Sequence, residues 1–298
     1  MITSIGEILI DQYIDKNKVT NQIGGAPFNV AVAIRKSGGD SSFIGSIGND
    51  EFGAFLYEKA SKFGLKYLFI QKYDEYKTTV AQVKLVNGER SFSFIRDGGA
   101  DYHFTFPLPD FIYQSNIVHI GSLMLSEEEG RAFLKQLIVE LKKRNILISF
   151  DINYREDIFN DTKDVKTIYQ EVIDQVDILK ISEDEVDIFG RDYIDSLKDK
   201  LVCLSLGDKG SEYRYNEIKG RVPSFKVEVV DTTGAGDAFL GAILSQLDGY
   251  RLNELNKEQL DEIFRFANVV GAFTTLKIGA ISPIPSKEEV ITFMNSYK

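Results

Sequence analysis

The stretch Asp231-Thr232-Thr233-Gly234-Ala235-Gly236-Asp237-Ala238-Phe239 follows an extended run over 225–230 and opens an amphipathic helix predicted over Ala235–Leu247. A glycine-rich turn there leaves the N–H groups of the helix's first turn without intrahelical acceptors, and with the helix dipole they form an anion site. Two glycines permit a phosphate to approach the backbone closely, and Asp237 is placed to face the same anion. A carboxylate beside a phosphate is unfavourable unless it has a task, and the task that fits is to accept a hydroxyl proton. The helix start is expected to depress the pKa of this carboxylate. The competing reading is a plain helix cap, for which Asp and Thr are common. No G-x-x-x-x-G-K-[ST] occurs, and Gly234, Gly236 and Gly241 miss the G-x-G-x-x-G spacing, so a P-loop and a dinucleotide fold both lose support.

Outward from this turn, apolar strand-like runs at 5–10, 42–47, 117–120, 146–151, 176–181 and 201–206 alternate with helix-period segments at 28–37, 51–63, 127–144 and 165–176. Such alternation predicts an α/β fold with a largely parallel central sheet flanked by helices on both faces. After Asp231 the pattern is helical, with 255–276 and 287–297 following the first helix. Residues 66–106 break the rhythm: 79–86 and 91–96 alternate like strands around Asn87-Gly88-Glu89-Arg90, a hairpin signal. With 11–23, which also lacks a helical period, this region is expected to form a small antiparallel β lid on a single domain spanning 1–298.

Composition narrows the function. The 298 residues are 43% hydrophobic and 27% charged, an ordinary globular balance. A formal charge of −10 argues against a broad nucleic-acid or anionic-membrane surface, so any phosphate site is local. The one cysteine, Cys203, excludes an internal disulfide and lies in an apolar run that reads as a buried strand. The first eight residues carry no basic signal-peptide region and no 18-residue apolar run occurs, so a cytoplasmic protein is expected. Of the two histidines, His119 alternates with apolar neighbours and reads as a hydrogen-bonded core residue; His103 falls in the lid region.

Residues 231–237 resemble the D-T-x-G-A-G-D signature of ribokinase-like (PfkB) carbohydrate kinases. Gly24-Gly25-Ala26-Pro27-Phe28-Asn29-Val30-Ala31, with Gly38-Gly39 and the segment 45–53, is similar to that family's first signature. Two motifs some 200 residues apart and in the right order are far more specific than either alone. Smaller matches at 151–155, 182–185, 206–210 and 275–285 extend the resemblance over essentially the whole chain.

The resemblance implies an ATP-dependent sugar kinase with a ribokinase-like fold. It makes Asp237 the catalytic base, with Gly234, Ala235 and Gly236 forming the anion turn around it. Asp11, Gly24, Gly25, Asn29, Arg96, Asp101, Arg155 and Asp237 become sugar-side residues. Lys180, Ser182, Gly207, Gly210, Thr233, Gly234, Gly236 and Asn268 fall on the nucleotide side, with Ala272 beside the adenine. Glu185 would organise water around Mg²⁺, and Asp231 with Thr233 and the backbone near 277–280 corresponds to a monovalent-cation (K⁺) site in some relatives. Ser182 departs from the N-x-x-E form that many relatives carry there. Read from the residues alone, the alternative for Gly24-Gly25 is a tight strand-to-helix turn with Asn29 bonding its own backbone. Arg155 is equally a surface ion pair, and Glu185 part of an exposed acidic first helical turn.

Gly6-Glu7-Ile8-Leu9-Ile10-Asp11 and Phe94-Ile95-Arg96-Asp97-Gly98-Gly99-Ala100-Asp101 look most like the fructokinase branch, which implies phosphorylation of fructose to fructose 6-phosphate. Because a guanidinium also pairs a carboxylate in a planar fork, 2-keto-3-deoxygluconate is the chief rival, with other ketoses and 5-dehydro-2-deoxygluconate behind it. A catalytically degenerate sugar-binding regulator and a flavodoxin-type or Rossmann-type nucleotide module are the readings from other classes. Exposed edges on the small sheet point to a homodimer through the lid.

Overall fold

The computed structural model describes residues 1–15, 18–86, 89–155, 158–159 and 165–296. In chain order the amino-terminal half runs β1 (Ile2–Ile5), β2 (Leu9–Asp15), β3 (Lys18–Gly24), α1 (Ala26–Lys36), β4 (Ser41–Gly48), α2 (Glu51–Ala60), β5 (Tyr67–Tyr73), β6 (Val80–Val86), β7 (Glu89–Ile95), β8 (Ile117–Ile120) and α3 (Glu128–Lys142). The remainder is β9 (Leu147–Asp151), α4 (Val165–Ile173), β10 (Ile178–Ser182), α5 (Glu183–Phe189), α6 (Arg191–Ser196), β11 (Leu201–Ser205), β12 (Ser211–Tyr215), β13 (Ile218–Val222), α7 (Ala235–Leu247), α8 (Lys257–Thr274) and α9 (Lys287–Ser296).

Among the described residues the strands form two sheets. Nine strands in the order β13-β12-β11-β10-β9-β8-β1-β4-β5 make the body, parallel from β11 through β5, with β12 and β13 added antiparallel at one edge. Alternate residues of each strand feed opposite cores. Ile117, Ile178 and Leu201 pack with α1, α7 and α8, whereas Val118, Leu179 and Val202 pack with α3 and α4. With both faces covered, these strands read as continuous apolar runs. Cys203 lies in the first of these cores and is buried, which pushes its thiol pKa up and leaves it unreactive.

The second sheet has the order β3-β2-β6-β7: two antiparallel hairpins joined through a parallel pairing of β2 with β6. Its strands come from the two predicted lid segments. The Asn87-Gly88 turn itself lies outside the described residues.

Several expectations change in detail. The run 5–10 is two strands, not one, because the chain breaks at Gly6-Glu7-Ile8 and passes from the body sheet into the lid sheet. Residues 66–106 are likewise divided: Tyr67–Tyr73 belongs to the body, where Ser42 to Gly48 pair with Tyr67 to Tyr73 in register. The extended run 225–230 forms no strand and leads directly into the glycine-rich turn.

Candidate active site

The parallel strands deliver their carboxyl ends to one side of the sheet, where open α/β folds bind ligands. Glu7 follows β1, Asp151 ends β9, Lys180 stands near the end of β10, and α7 begins beside them. A cleft of about 370 Å³ opens there, lined among others by Asp11, Asn29, Lys180, Arg155, Gly236 and Asp237. The small sheet contributes Asp11, Ala81 and Phe94, so it forms one wall of the cleft.

Gly234 caps α7 with φ 73°, a left-handed conformation that favours glycine, and a Cβ there would lie 2.7 Å from Ala280. Asp231 fixes the turn. Its Oδ1 accepts from Thr233 N and Oγ1 (2.9 and 2.7 Å), and its Oδ2 from Gly279 N (2.8 Å). The carboxylate thus ties the anion turn to the 277–280 segment.

Asn29 Nδ2 donates to Asp237 Oδ2 at 2.8 Å, so the α1 amide does not turn back on its own backbone. The sequence-based expectation was that the helix start depresses the Asp237 pKa. The structure reverses it: the half-buried carboxyl lines the cleft, and lost hydration raises its pKa against the opposing effects of Asn29, Lys180 and Arg155. A base with a raised pKa is better matched to neutral pH.

Asp11 is held against Gly24: an added Cβ would stand 2.1 Å from Asp11 Oδ2. The next residue, Gly25, has φ 110°, and a Cβ there would strike the Glu7 carbonyl at 2.4 Å. Burial, then repulsion from Asp237, pushes Asp11 up to about 7.

Across the cleft Lys180 Nζ lies 3.1 Å from Asp151 Oδ1, both side chains being buried. Burial works against the ammonium, yet Asp151, Glu185 and Asp237 together hold its pKa above the ordinary lysine value. Asp151 is pushed up to about 7 by burial, despite Lys180. A Cβ on Gly236 would meet Lys180 Nζ at 3.2 Å, which puts this cation over the first turn of α7, where an anion would rest. Arg155 is exposed at the rim, its Nη1 donating to the Tyr154 carbonyl.

Other sequence-derived candidates stand elsewhere. Arg96 and Asp101 were expected to meet the sugar from the lid side. Instead Arg96 Nε and Nη2 both donate to Asp101 Oδ2 (3.0 and 2.7 Å), and Thr79 Oγ1 donates to Asp101 Oδ1. Thr79 precedes β6 and Arg96 follows β7, so the buried cluster pins both ends of the lid hairpin, and neither charged residue lines the cleft. Glu185 is buried rather than exposed: Oε1 accepts from Tyr154 N, and Oε2 from Ser182 N and Oγ in a capping box. Asn268 Nδ2 donates to the carbonyls of Val222 and Pro223, fastening α8 to the end of β13. Gly207 and Gly210 flank a single 3-10 turn between β11 and β12, outside the cleft lining.

His119 is buried with Nδ1 3.3 Å from Ser149 Oγ, and burial pushes it down to about 3. His103 stacks on Tyr76 with ring centres 3.5 Å apart. Among the described residues no three His, Cys, Asp or Glu side chains gather as metal ligands, and no helix is long and apolar enough to cross a membrane. Among the cleft residues given no role from the sequence, Glu7 is the one that carries a carboxyl group; it was visible there only as part of the run Gly6–Asp11.

A glycine-rich turn opening α7, carboxyl groups beside it and a small second sheet at the carboxyl ends of a largely parallel sheet are the features of a ribokinase-like α/β fold. Residues 1–287 match the pfkB family of carbohydrate kinases. Fructokinase-1 of Oryza sativa subsp. japonica is 34% identical over 318 residues, covering 99% of this chain and 98% of that protein. The crystal structure of fructokinase with bound ATP from Xylella fastidiosa gives a TM-score of 0.91 at 27% identity, covering 99% and 98% of the two chains. That of fructokinase from Vibrio cholerae O395 with fructose, ADP and calcium ion bound gives 0.88 at 27% identity, covering 98% of each. The chain belongs to the pfkB family of carbohydrate kinases.

Proposed function

We propose that this chain transfers the γ-phosphoryl group of ATP to fructose, giving fructose 6-phosphate and ADP. The observation that carries the reading is the set of groups gathered in one cleft. Glu7, Asp11, Asn29 and Asp237 line it together with Lys180, Arg155 and the glycine turn that opens α7. Carboxyl and amide groups suit the hydroxyls of a neutral polyol; cations and helix N–H groups suit phosphates. The fructose, ADP and ATP bound to the related fructokinases support the same assignment.

In this reading Asn29 orients the Asp237 carboxylate, which takes the proton as the 6-hydroxyl oxygen bonds to the γ-phosphorus and the bond from phosphorus to the bridging oxygen of ADP breaks. Lys180 and the turn of α7 hold the phosphates. Mg²⁺ carried on ATP supplies charge neutralisation. Glu185, whose oxygens already accept three protein hydrogen bonds, suits contact through water rather than direct ligation. The loop that Asp231 ties to the 277–280 segment is where a monovalent cation such as K⁺ would sit. The two-hairpin sheet acts as the lid, and its edge strands β3 and β7 suit pairing in a homodimer, which scattering at micromolar concentration tests.

Against 2-keto-3-deoxygluconate, the Arg96 guanidinium is spent on Asp101. A coupled ADP-release screen over fructose, 2-keto-3-deoxygluconate, ribose and nucleosides tests the proposal. Fructose is expected to give the highest kcat/KM. A tenfold or greater advantage for 2-keto-3-deoxygluconate overturns the choice of sugar, and no sugar-dependent ADP release overturns the kinase reading.

A further inference from the structure

Glu7 sits in Gly6-Glu7-Ile8, between the central strand β1 and the lid strand β2. It is 3% exposed, and its Oε2 lies against Gly121, where an added Cβ would stand 2.7 Å away. Among the described residues this oxygen has no hydrogen-bond partner. A buried carboxyl oxygen left unpaired is costly, so its presence calls for a physical reason. Asn29 Oδ1 is a second such atom: the residue is 4% exposed and its amide nitrogen is committed to Asp237. Both residues line the cleft that holds Asp11 and Asp237. Two unpaired buried acceptors on residues lining one cleft fit a ligand that arrives with several hydroxyl donors.

We propose that Glu7 is a substrate-contacting residue, whose Oε2 pairs with a sugar hydroxyl in the cleft. The proposal rests on the sugar-kinase reading and deepens it. The groups facing Glu7 are Arg96 and Asp101 at the base of the lid, and Asp237 on α7, with Asp11 lining the same cleft. Burial, opposed by its own backbone N–H and then reinforced by Asp101, pushes Glu7 up to about 8. At neutral pH the group is protonated and can donate as well as accept. Above that range it ionises among other carboxylates, and sugar binding weakens.

The test compares Glu7→Ala and Glu7→Gln with the parent by steady-state kinetics and calorimetric sugar binding, using the sugar on which the parent turns over best. Glu7→Ala is expected to raise the sugar KM on the order of tenfold or more, the cost of removing a buried hydrogen-bond partner, while the ATP KM stays within about twofold. Glu7→Gln, which keeps a donor and an acceptor but does not titrate, should retain sugar affinity at pH 7 and reduce its loss between pH 7 and 9. A folded Glu7→Ala variant with the parental sugar KM, or equal losses for sugar and ATP, overturns the proposal. If Glu7→Ala does not fold, the Gln variant decides, and an unchanged pH dependence of sugar affinity overturns it. If the parent turns over another sugar and not fructose, the fructose reading falls while the same comparison still tests Glu7. If no sugar binds, both fall.

Discussion

Asn29 Nδ2 donates to Asp237 Oδ2 at 2.8 Å, joining α1 to α7 across 208 positions of sequence. The bond lowers the Asp237 pKa against the larger, opposite effect of burial. Removing it in Asn29→Ala should therefore let that pKa rise further. Activity that depends on the ionised base then appears at higher pH, so the acid limb of the kcat/KM profile moves upward. An unmoved limb would mean that the bond does not tune the base.

Gly24 and Asp11 cannot both keep their places once a methyl group is added, because the new Cβ would lie 2.1 Å from Asp11 Oδ2. Gly24→Ala should displace the carboxylate and raise the sugar KM on the order of tenfold, leaving the ATP KM nearly unchanged. Initial-rate kinetics with each substrate varied in turn separates the two. Equal increases would show that the turn, rather than Asp11, had been disturbed.

Lys180 stands over the α7 turn and beside Asp151. Lys180→Met should lower kcat on the order of 10²-fold, the usual cost of losing one fixed group that stabilises developing charge. It also leaves Asp151 buried without its cation, so thermal stability should fall, and more at pH 8 than at pH 6, where the carboxyl is protonated. Calorimetric unfolding at both pH values checks this. Equal losses at the two would contradict the pairing argument.

Glu7, Asp11 and Asp151 all have folded-state pKa values raised into the range of about 7 to 8. Their contribution is fully present below the unfolded carboxyl range near 4 and is lost as pH rises through 7 to 8, because the folded state alone retains the protons. The free protein should therefore unfold at a lower temperature at pH 8.5 than at pH 5.5, by several degrees on the order-of-magnitude scale for such shifts. Glu7→Gln should reduce the difference. A melting temperature that rises across this interval would contradict the burial of these groups.

Much of this site was legible because it is written in local pattern. The Gly234-Ala235-Gly236-Asp237 turn announces a helix start with an anion site, and the strand alternation announces the parallel sheet that positions it. Pairings made only in three dimensions were not legible. Arg96 and Asp101 meet because β7 ends beside a 3-10 turn at Ala100–Tyr102, and each satisfies the other before any sugar arrives. Tyr67–Tyr73 looked like lid because it lies between body and hairpin in sequence, yet its pairing with β4 makes it the edge of the body. The pKa of Asp237 was misjudged because the helix start is visible in the sequence and burial is not. Glu7 escaped for a related reason: an unpaired buried oxygen leaves no sequence pattern.

The central claim, that Asp237 is the base, is tested most directly by kcat for Asp237→Asn measured together with calorimetric sugar binding. Asn preserves the shape and much of the capping ability, so the fold should survive. Turnover is expected to fall roughly 10²- to 10⁴-fold, the usual worth of a positioned proton acceptor, with a much smaller change in sugar affinity. Near-parental turnover in a well-folded variant would contradict the account and leave Asp237 with a structural role alone.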